Sequence, residues 1–205
     1  MAPLSNVEFG KFLQVSGLGK MPAFGGPAAS LKPSIAQTVP YETTSQQNTS
    51  VTSGVMELTP IMLTSGIWIS NINFVSGTQA ESGGTHLWFA LYDDGRSSTV
   101  SGQLGLLGQT ADQTGATAFG ANTNLGLALS YPILTTYTGI YYVALMCVAS
   151  KTPGLASMTI AGSLTTASAS GSYFGGTAGT SLTTSAPDPS GAIAAVSRMN
   201  YAYVS

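Results

Sequence analysis

The sequence of 205 residues holds one histidine and one cysteine, so nucleophilic or metal chemistry would depend on His86 or Cys147. A catalytic histidine needs a serine or cysteine held against it and a carboxylate that orients it. Trp88 follows two positions after His86, so both side chains fall on one face of a strand. We therefore interpret His86 as a packed or surface histidine. Cys147 lies in the apolar run 140–149, which is typical of a small buried side chain.

Carboxylates are the other candidates for chemistry, namely Glu57, Glu81, Asp93, Asp94 and Asp112. Their spacing selects no pair for glycoside hydrolysis, and the spaced acidic loop of a calcium site is absent. An Asp-Gly step between apolar runs, as at Asp94-Gly95, is typical of a tight turn, so we interpret Asp93 and Asp94 as turn residues.

Lys20 is the basic residue of a glycine-rich stretch. Phosphate binding is therefore a further function to consider. A P-loop requires a glycine six positions before the lysine and a hydroxyl after it, but Gln14 and Met21 occupy these positions. We predict no catalytic residue, no cofactor and no metal site, and we expect that the protein is not an enzyme.

Aromatic side chains on the β segments keep carbohydrate binding open, because an exposed ring beside amide groups can hold a sugar. Core filling is the alternative, and we favour it for tryptophans in alternating strands. The candidate contacts to a glycan or a partner are Trp68, Trp88, Tyr92 and Tyr173.

Charge is scarce in this chain, since only 7% of residues are charged, where an ordinary soluble domain has roughly 25%. The small residues Ser, Thr and Gly make up 76 of the 205 positions instead. A nucleic-acid binder needs a basic field, and a disordered chain needs high charge, so both classes are excluded. The longest apolar run, 140–149, is too short to span a membrane, and the N-terminus lacks the pattern of a signal peptide.

Residues 1–54 differ from the rest, because they contain five of the ten prolines and carry a net charge of +1. Prolines at this density interrupt helices and central strands. We predict an extended, largely irregular N-terminal arm that a partner surface holds in place. Its candidate anchoring residues are Phe9, Phe12, Lys20 and Phe24.

Residues 55–205 show short apolar runs with a period of two, separated by turn residues, which predicts an antiparallel β-sandwich or jelly roll. The all-β domain includes a Gly/Ser/Thr-rich loop at 165–190, and the one segment with some helical character is 190–196. The predicted strands are 58–63, 66–75, 86–92, 104–109, 125–129, 139–150, 157–164 and 199–204.

Four segments occur in one order along the chain: 81–93, 109–114, 121–123 and 137–143. With these segments the chain resembles a β domain found in virion proteins of tailed phages of actinobacteria, usually described as minor tail, tail-fibre or head-decoration proteins. The resemblance covers about residues 55–162 and brings no catalytic residue with it.

The resemblance implies a structural protein of the virion, assembled in the host cytoplasm, with capsid or tail subunits as partners. We expect a homo-oligomer, for which three-fold symmetry would be typical, and no nucleic-acid contact. The favoured role is capsid decoration, as a minor capsid protein with an outward-facing β domain anchored by the arm. The alternative is a minor tail or tail-fibre protein whose β domain binds host-surface carbohydrate.

Overall fold

A computed structural model of the chain describes residues 34–114, 119–159 and 175–205. Within these ranges the protein consists of antiparallel strands and one 3₁₀ turn, Tyr41–Thr43, without an α-helix. The prediction of an all-β fold is confirmed. The candidate residues Phe9, Phe12, Lys20, Phe24 and Tyr173 lie outside the described residues.

The described strands form three sheets. The large sheet has the order β11-β10-β3-β8-β5-β6, the four-stranded sheet β1-β13-β4-β7 and the small sheet β12-β9-β2. The strand bounds are β1 Ala36–Gln37, β2 Ser45–Ser50, β3 Met56–Leu63, β4 Trp68–Val75, β5 Ser82–Tyr92, β6 Leu106–Gln109, β7 Asn124–Leu134, β8 Gly139–Lys151, β9 Gly154–Thr159, β10 Gly176–Ala178, β11 Ile193–Ala195, β12 Arg198–Asn200 and β13 Ala202–Val204.

Strand pairing is nested around the middle of the chain. β5 pairs with β6, β4 with β7, β3 with β8 and β1 with β13, all antiparallel. Each pair therefore encloses the previous one, as in a long hairpin that is rolled into two sheets. This nesting is the topology of a jelly roll.

The large sheet is buried on both of its faces. In β8 the side chains of Tyr141 and Val143 enter the core between the two main sheets, whereas Tyr142 and Ala144 enter a second core on the opposite face. Because neighbouring side chains of a strand point to opposite faces, a strand covered on both sides is continuously apolar. This explains the unbroken apolar run at 140–149.

The second core is closed by the cover segment, which we define as residues 179–192. Backbone carbonyls in it accept hydrogen bonds from core side chains: Thr183 O from Trp88 Nε1 at 2.8 Å and Pro187 O from the Tyr92 hydroxyl at 2.9 Å. The Ala186 N–H donates to Gln109 Oε1 at 2.6 Å. The cover segment is thus fixed by specific contacts as well as by apolar packing.

Residues 34–54 of the predicted arm take part in the sheets of the β domain. β1 pairs with β13, and β2 pairs with β9. β1 and β2 are short and polar, so they show little of the alternation of apolar and polar residues that predicts a strand. They are strands because they pair with β13 and β9.

The C-terminal third differs from the sequence prediction in three places. Segment 190–196 contains strand β11, because pairing with β10 outweighs the helical preference of its alanines. The single strand predicted at 199–204 is divided at Tyr201 into β12 and β13, which belong to different sheets. The predicted loop 165–190 contains β10 in its described part.

Candidate functional site

Three large apolar side chains are exposed at one end of the four-stranded sheet. The exposed fraction is 58% for Trp68, 43% for Leu134 and 41% for Ile35. Trp68 and Leu134 are direct partners in the pairing of β4 with β7. Ile35 lies one position before β1 and donates its N–H to Val204 O at 2.8 Å. We call the surface formed by Ile35, Trp68 and Leu134 the Trp68 face.

The outward direction of these side chains follows from their neighbours in the strands. Ile69 and Ile133 are buried in the core between the two main sheets, at 0% and 7% exposure. Because side chains alternate along a strand, Trp68 and Leu134 point away from that core. The Trp68 face therefore lies on the outer surface of the four-stranded sheet.

The outer surface is covered at β13. Tyr203 of β13 is only 2% exposed and packs in a third cluster with Val39 and Tyr201. Its hydroxyl accepts a hydrogen bond from Asn124 Nδ2 at 2.8 Å. The outer surface stays accessible along β7, where Asn124, Gly126, Ala128 and Ser130 are exposed, and at the end that carries Trp68.

The four strands of this sheet contain no charged residue. Elsewhere in the described ranges there are three cations and seven carboxylates, so the charges of the domain lie off this sheet. An uncharged surface with exposed aromatic and aliphatic groups is typical of the centre of a protein interface.

Two of the predicted contact residues are core residues in this fold. Trp88 and Tyr92 are fully buried in the second core. There the indole N–H and the phenol hydroxyl donate hydrogen bonds to backbone carbonyls of the cover segment. Burial also raises the pKa of the Tyr92 hydroxyl. Their place under the cover segment explains why neither reaches the surface, and it leaves Trp68 as the exposed member of the described candidates.

His86 is paired with a carboxylate that its sequence position does not indicate. Its Nδ1 lies 2.6 Å from Asp112 Oδ2, and Asp112 Oδ1 accepts the Leu87 N–H at 3.1 Å. In the described part of the chain no serine, threonine or cysteine side chain is hydrogen-bonded to His86. The pair ties the segment after β6 to β5, in agreement with a packed histidine.

A buried ion pair joins the small sheet to the large one. Arg198 of β12 donates to Glu57 Oε1 of β3, and Asn200 Nδ2 donates to Glu57 Oε2 at 2.8 Å. The Glu57 side chain is 1% exposed and that of Arg198 is 19% exposed. Each of the two charges lies one position before a predicted strand. They are separated by 141 positions, so the sequence gives no sign that they form a pair.

Cys147 lies in the main core, beside the carboxyl group of Glu81. Burial and the neighbouring Glu81 raise the pKa of the Cys147 thiol to about 12, so the thiolate is suppressed at neutral pH. Burial raises the pKa of Glu81 as well. The Phe119 N–H donates to Glu81 Oε2 at 3.3 Å, and this hydrogen bond lowers the pKa by a smaller amount. These properties agree with an unreactive cysteine.

The raised pKa of Glu81 predicts a specific pH dependence of stability. A carboxyl whose pKa in the folded state is raised stabilises the fold below its ordinary value of 4.5, and this contribution disappears as pH rises through the folded-state value. We expect Glu81→Gln, which carries no charge, to gain stability relative to the native protein as pH rises. Urea unfolding at a series of pH values measures this difference.

Asp94→Asn is a matched control, because it removes one negative charge from an exposed turn. The interpretation of Glu81 would be wrong if the stability difference between Glu81→Gln and the native protein were constant with pH. A difference that turned in favour of the native protein as pH rose would equally contradict it.

The turn after β5 is organised by a carboxylate, as predicted for the Asp-Asp-Gly sequence. Asp93 accepts the backbone N–H groups of Gly95 at 2.9 Å, Ser97 at 2.9 Å and Gly105 at 3.2 Å. Gly95 has a φ of 95°, a conformation that a side chain would strain. Asp93 therefore has a structural role in this turn.

In the described ranges, no group of three or more His, Cys, Asp or Glu side chains is arranged to hold a metal ion. No helix in these ranges is long and apolar enough to cross a membrane. Comparison of the chain with protein-family models and with curated proteins finds no match.

Proposed function

We propose that the protein is a non-enzymatic structural component of a phage virion, most simply a decoration protein of the capsid. The observation that carries this proposal is the uncharged four-stranded sheet with its exposed Trp68 face. Such a surface suits a protein that works in contact with neighbouring subunits, because charged groups are depleted at the centre of interfaces.

The resemblance to phage virion proteins supports the same proposal. Its first segment, 81–93, corresponds to β5 and the start of the next turn, and its last segment, 137–143, includes the beginning of β8. In this proposal the protein assembles in the host cytoplasm, where a fold without disulfides is appropriate. Residues 1–54 supply the anchor to capsid or tail subunits, through Phe9, Phe12, Lys20 and Phe24.

A minor tail or tail-fibre role with carbohydrate binding is the second candidate. The observation in its favour is that the exposed Trp68 ring shares its strand with the carboxamide of Asn71, which is half-buried. A flat aromatic ring next to an amide is a suitable surface for a sugar ring. In this role the β domain would face the host surface.

Copy number on purified particles tests the proposal and separates the two candidates. We expect quantitative mass spectrometry, referenced to the major capsid subunit, to find on the order of hundreds of copies per particle, as symmetry of a decorated shell requires. A handful of copies would favour the tail. Absence of the protein from intact particles would overturn both candidates, and an unrelated cytoplasmic host protein measured in the same sample controls for contamination.

A further inference from the structure

We propose that the protein has a binding site for one internal water molecule, where β12 of the small sheet approaches β3 of the large sheet. Three buried side-chain atoms at this place have no hydrogen-bond partner in the described part of the chain: Arg198 Nε, Asn200 Oδ1 and Thr59 Oγ1. Buried polar groups are nearly always hydrogen-bonded, because an unsatisfied group costs free energy. A bound water molecule would satisfy all three atoms.

The three atoms belong to side chains that gather around Glu57. Arg198 Nη2 and Asn200 Nδ2 both donate to the Glu57 carboxylate, and the unpartnered atom of each side chain is two bonds away from that donor. Thr59 lies two positions after Glu57 in β3, so both side chains point to the same face of the strand. Such positions are about 7 Å apart, and one water molecule bridges polar atoms roughly 5–6 Å apart. A water molecule within this cluster is therefore in reach of all three atoms.

The hydrogen-bonding chemistry of the cluster suits water. Glu57 fixes the orientation of the Asn200 carboxamide, because a carboxylate only accepts hydrogen bonds and only Nδ2 can donate one. Asn200 Oδ1 is therefore an acceptor, Arg198 Nε is a donor, and the Thr59 hydroxyl can be either. Water can accept from Arg198, donate to Asn200 and bind Thr59 at the same time. Buried water molecules typically make about three hydrogen bonds, as this one would.

The charges of the cluster favour water over an ion. Glu57 and Arg198 form an ion pair, so their charges offset each other. An anion at Arg198 Nε would be repelled by the Glu57 carboxylate, and a cation at Asn200 Oδ1 would be repelled by the Arg198 guanidinium. A neutral ligand leaves the ion pair undisturbed.

A high-resolution crystal structure of the full chain tests the site directly. We expect density for one water molecule within about 3.2 Å of both Arg198 Nε and Asn200 Oδ1. The inference is overturned if hydrogen bonds within the protein satisfy both atoms and no such density is present. Crystals grown with bromide identify an anion, since an anomalous signal at this position would show that an ion binds there instead of water.

Thr59→Val tests the inference in solution, because the sign of its effect depends on whether the hydroxyl has a partner. Removal of a hydroxyl that binds water should raise the equilibrium constant of unfolding by roughly fivefold, whereas removal of an unpartnered buried hydroxyl should lower it. Urea unfolding of the full chain measures this constant. A Thr59→Val chain that is as stable as the native one, or more stable, contradicts the proposal.

Thr110→Val is the matched control, since Thr110 is also fully buried. Its hydroxyl accepts the Phe89 N–H at 3.0 Å and donates to Ala111 O at 3.2 Å, so its partners belong to the protein. We expect this variant to lose stability, which shows that the measurement detects the loss of a satisfied hydroxyl. None of these experiments involves phage particles, so the proposed function stands or fails separately.

Discussion

Replacement of Arg198 with alanine is expected to destabilise the β domain by about 3–5 kcal/mol, because Glu57 is left as an unpaired buried charge. Glu57 is only 1% exposed at its side chain, so water cannot easily replace the guanidinium group. Asn200 Nδ2 remains as a neutral donor at 2.8 Å, which compensates for only part of the loss. Urea unfolding followed by circular dichroism measures the change in the free energy of unfolding.

A double variant separates loss of the pair from loss of packing. Glu57→Leu combined with Arg198→Met removes both charges and keeps much of the volume, and apolar replacements of buried pairs are often close to neutral. We expect the double variant to be more stable than Arg198→Ala alone. If Arg198→Ala cost less than about 1 kcal/mol, in the range of exposed ion pairs, the pair would not be buried in solution.

Replacement of Trp88 with alanine is expected to cost about 3–5 kcal/mol, as is usual when a buried aromatic side chain is truncated. The indole is fully buried in the second core and donates to Thr183 O of the cover segment. Trp88→Phe keeps an aromatic ring but loses this donor, so it should be less harmful than Trp88→Ala. Chemical unfolding monitored by far-ultraviolet circular dichroism compares the variants.

Trp68→Ala is the matched control for Trp88→Ala, because Trp68 is 58% exposed. At low protein concentration it should change the free energy of unfolding by no more than about 0.5 kcal/mol, which is usual for surface substitutions. Equal losses for the two variants would contradict the different positions that we assign to the two tryptophans.

Strand positions were the most predictable part of the fold, since their signal is local. The period of two at 66–75 corresponds to β4, and the apolar run at 139–150 corresponds to β8. The run of β8 is continuous because the large sheet is covered on both faces. The sequence therefore contained a sign of the second core, although it did not indicate which segment closes it.

Contacts between distant residues were the part that the sequence could not supply. Glu57 and Arg198 meet because β12 of the small sheet approaches β3 of the large sheet, and Trp88 is buried because the cover segment returns over β5. Neither contact leaves a local pattern. The spacing of the carboxylates in the sequence did not single out Asp112, yet its carboxylate holds His86 across 26 positions.

The nested strand pairing also determines when the protein can fold during its synthesis. β13, Ala202–Val204, lies between β1 and β4 in the four-stranded sheet, although β1 is Ala36–Gln37. The ribosome must therefore synthesise all of the strands between β1 and β13 before this sheet can close. Because the closing contacts join strands that are far apart in sequence, folding of the domain should be slow.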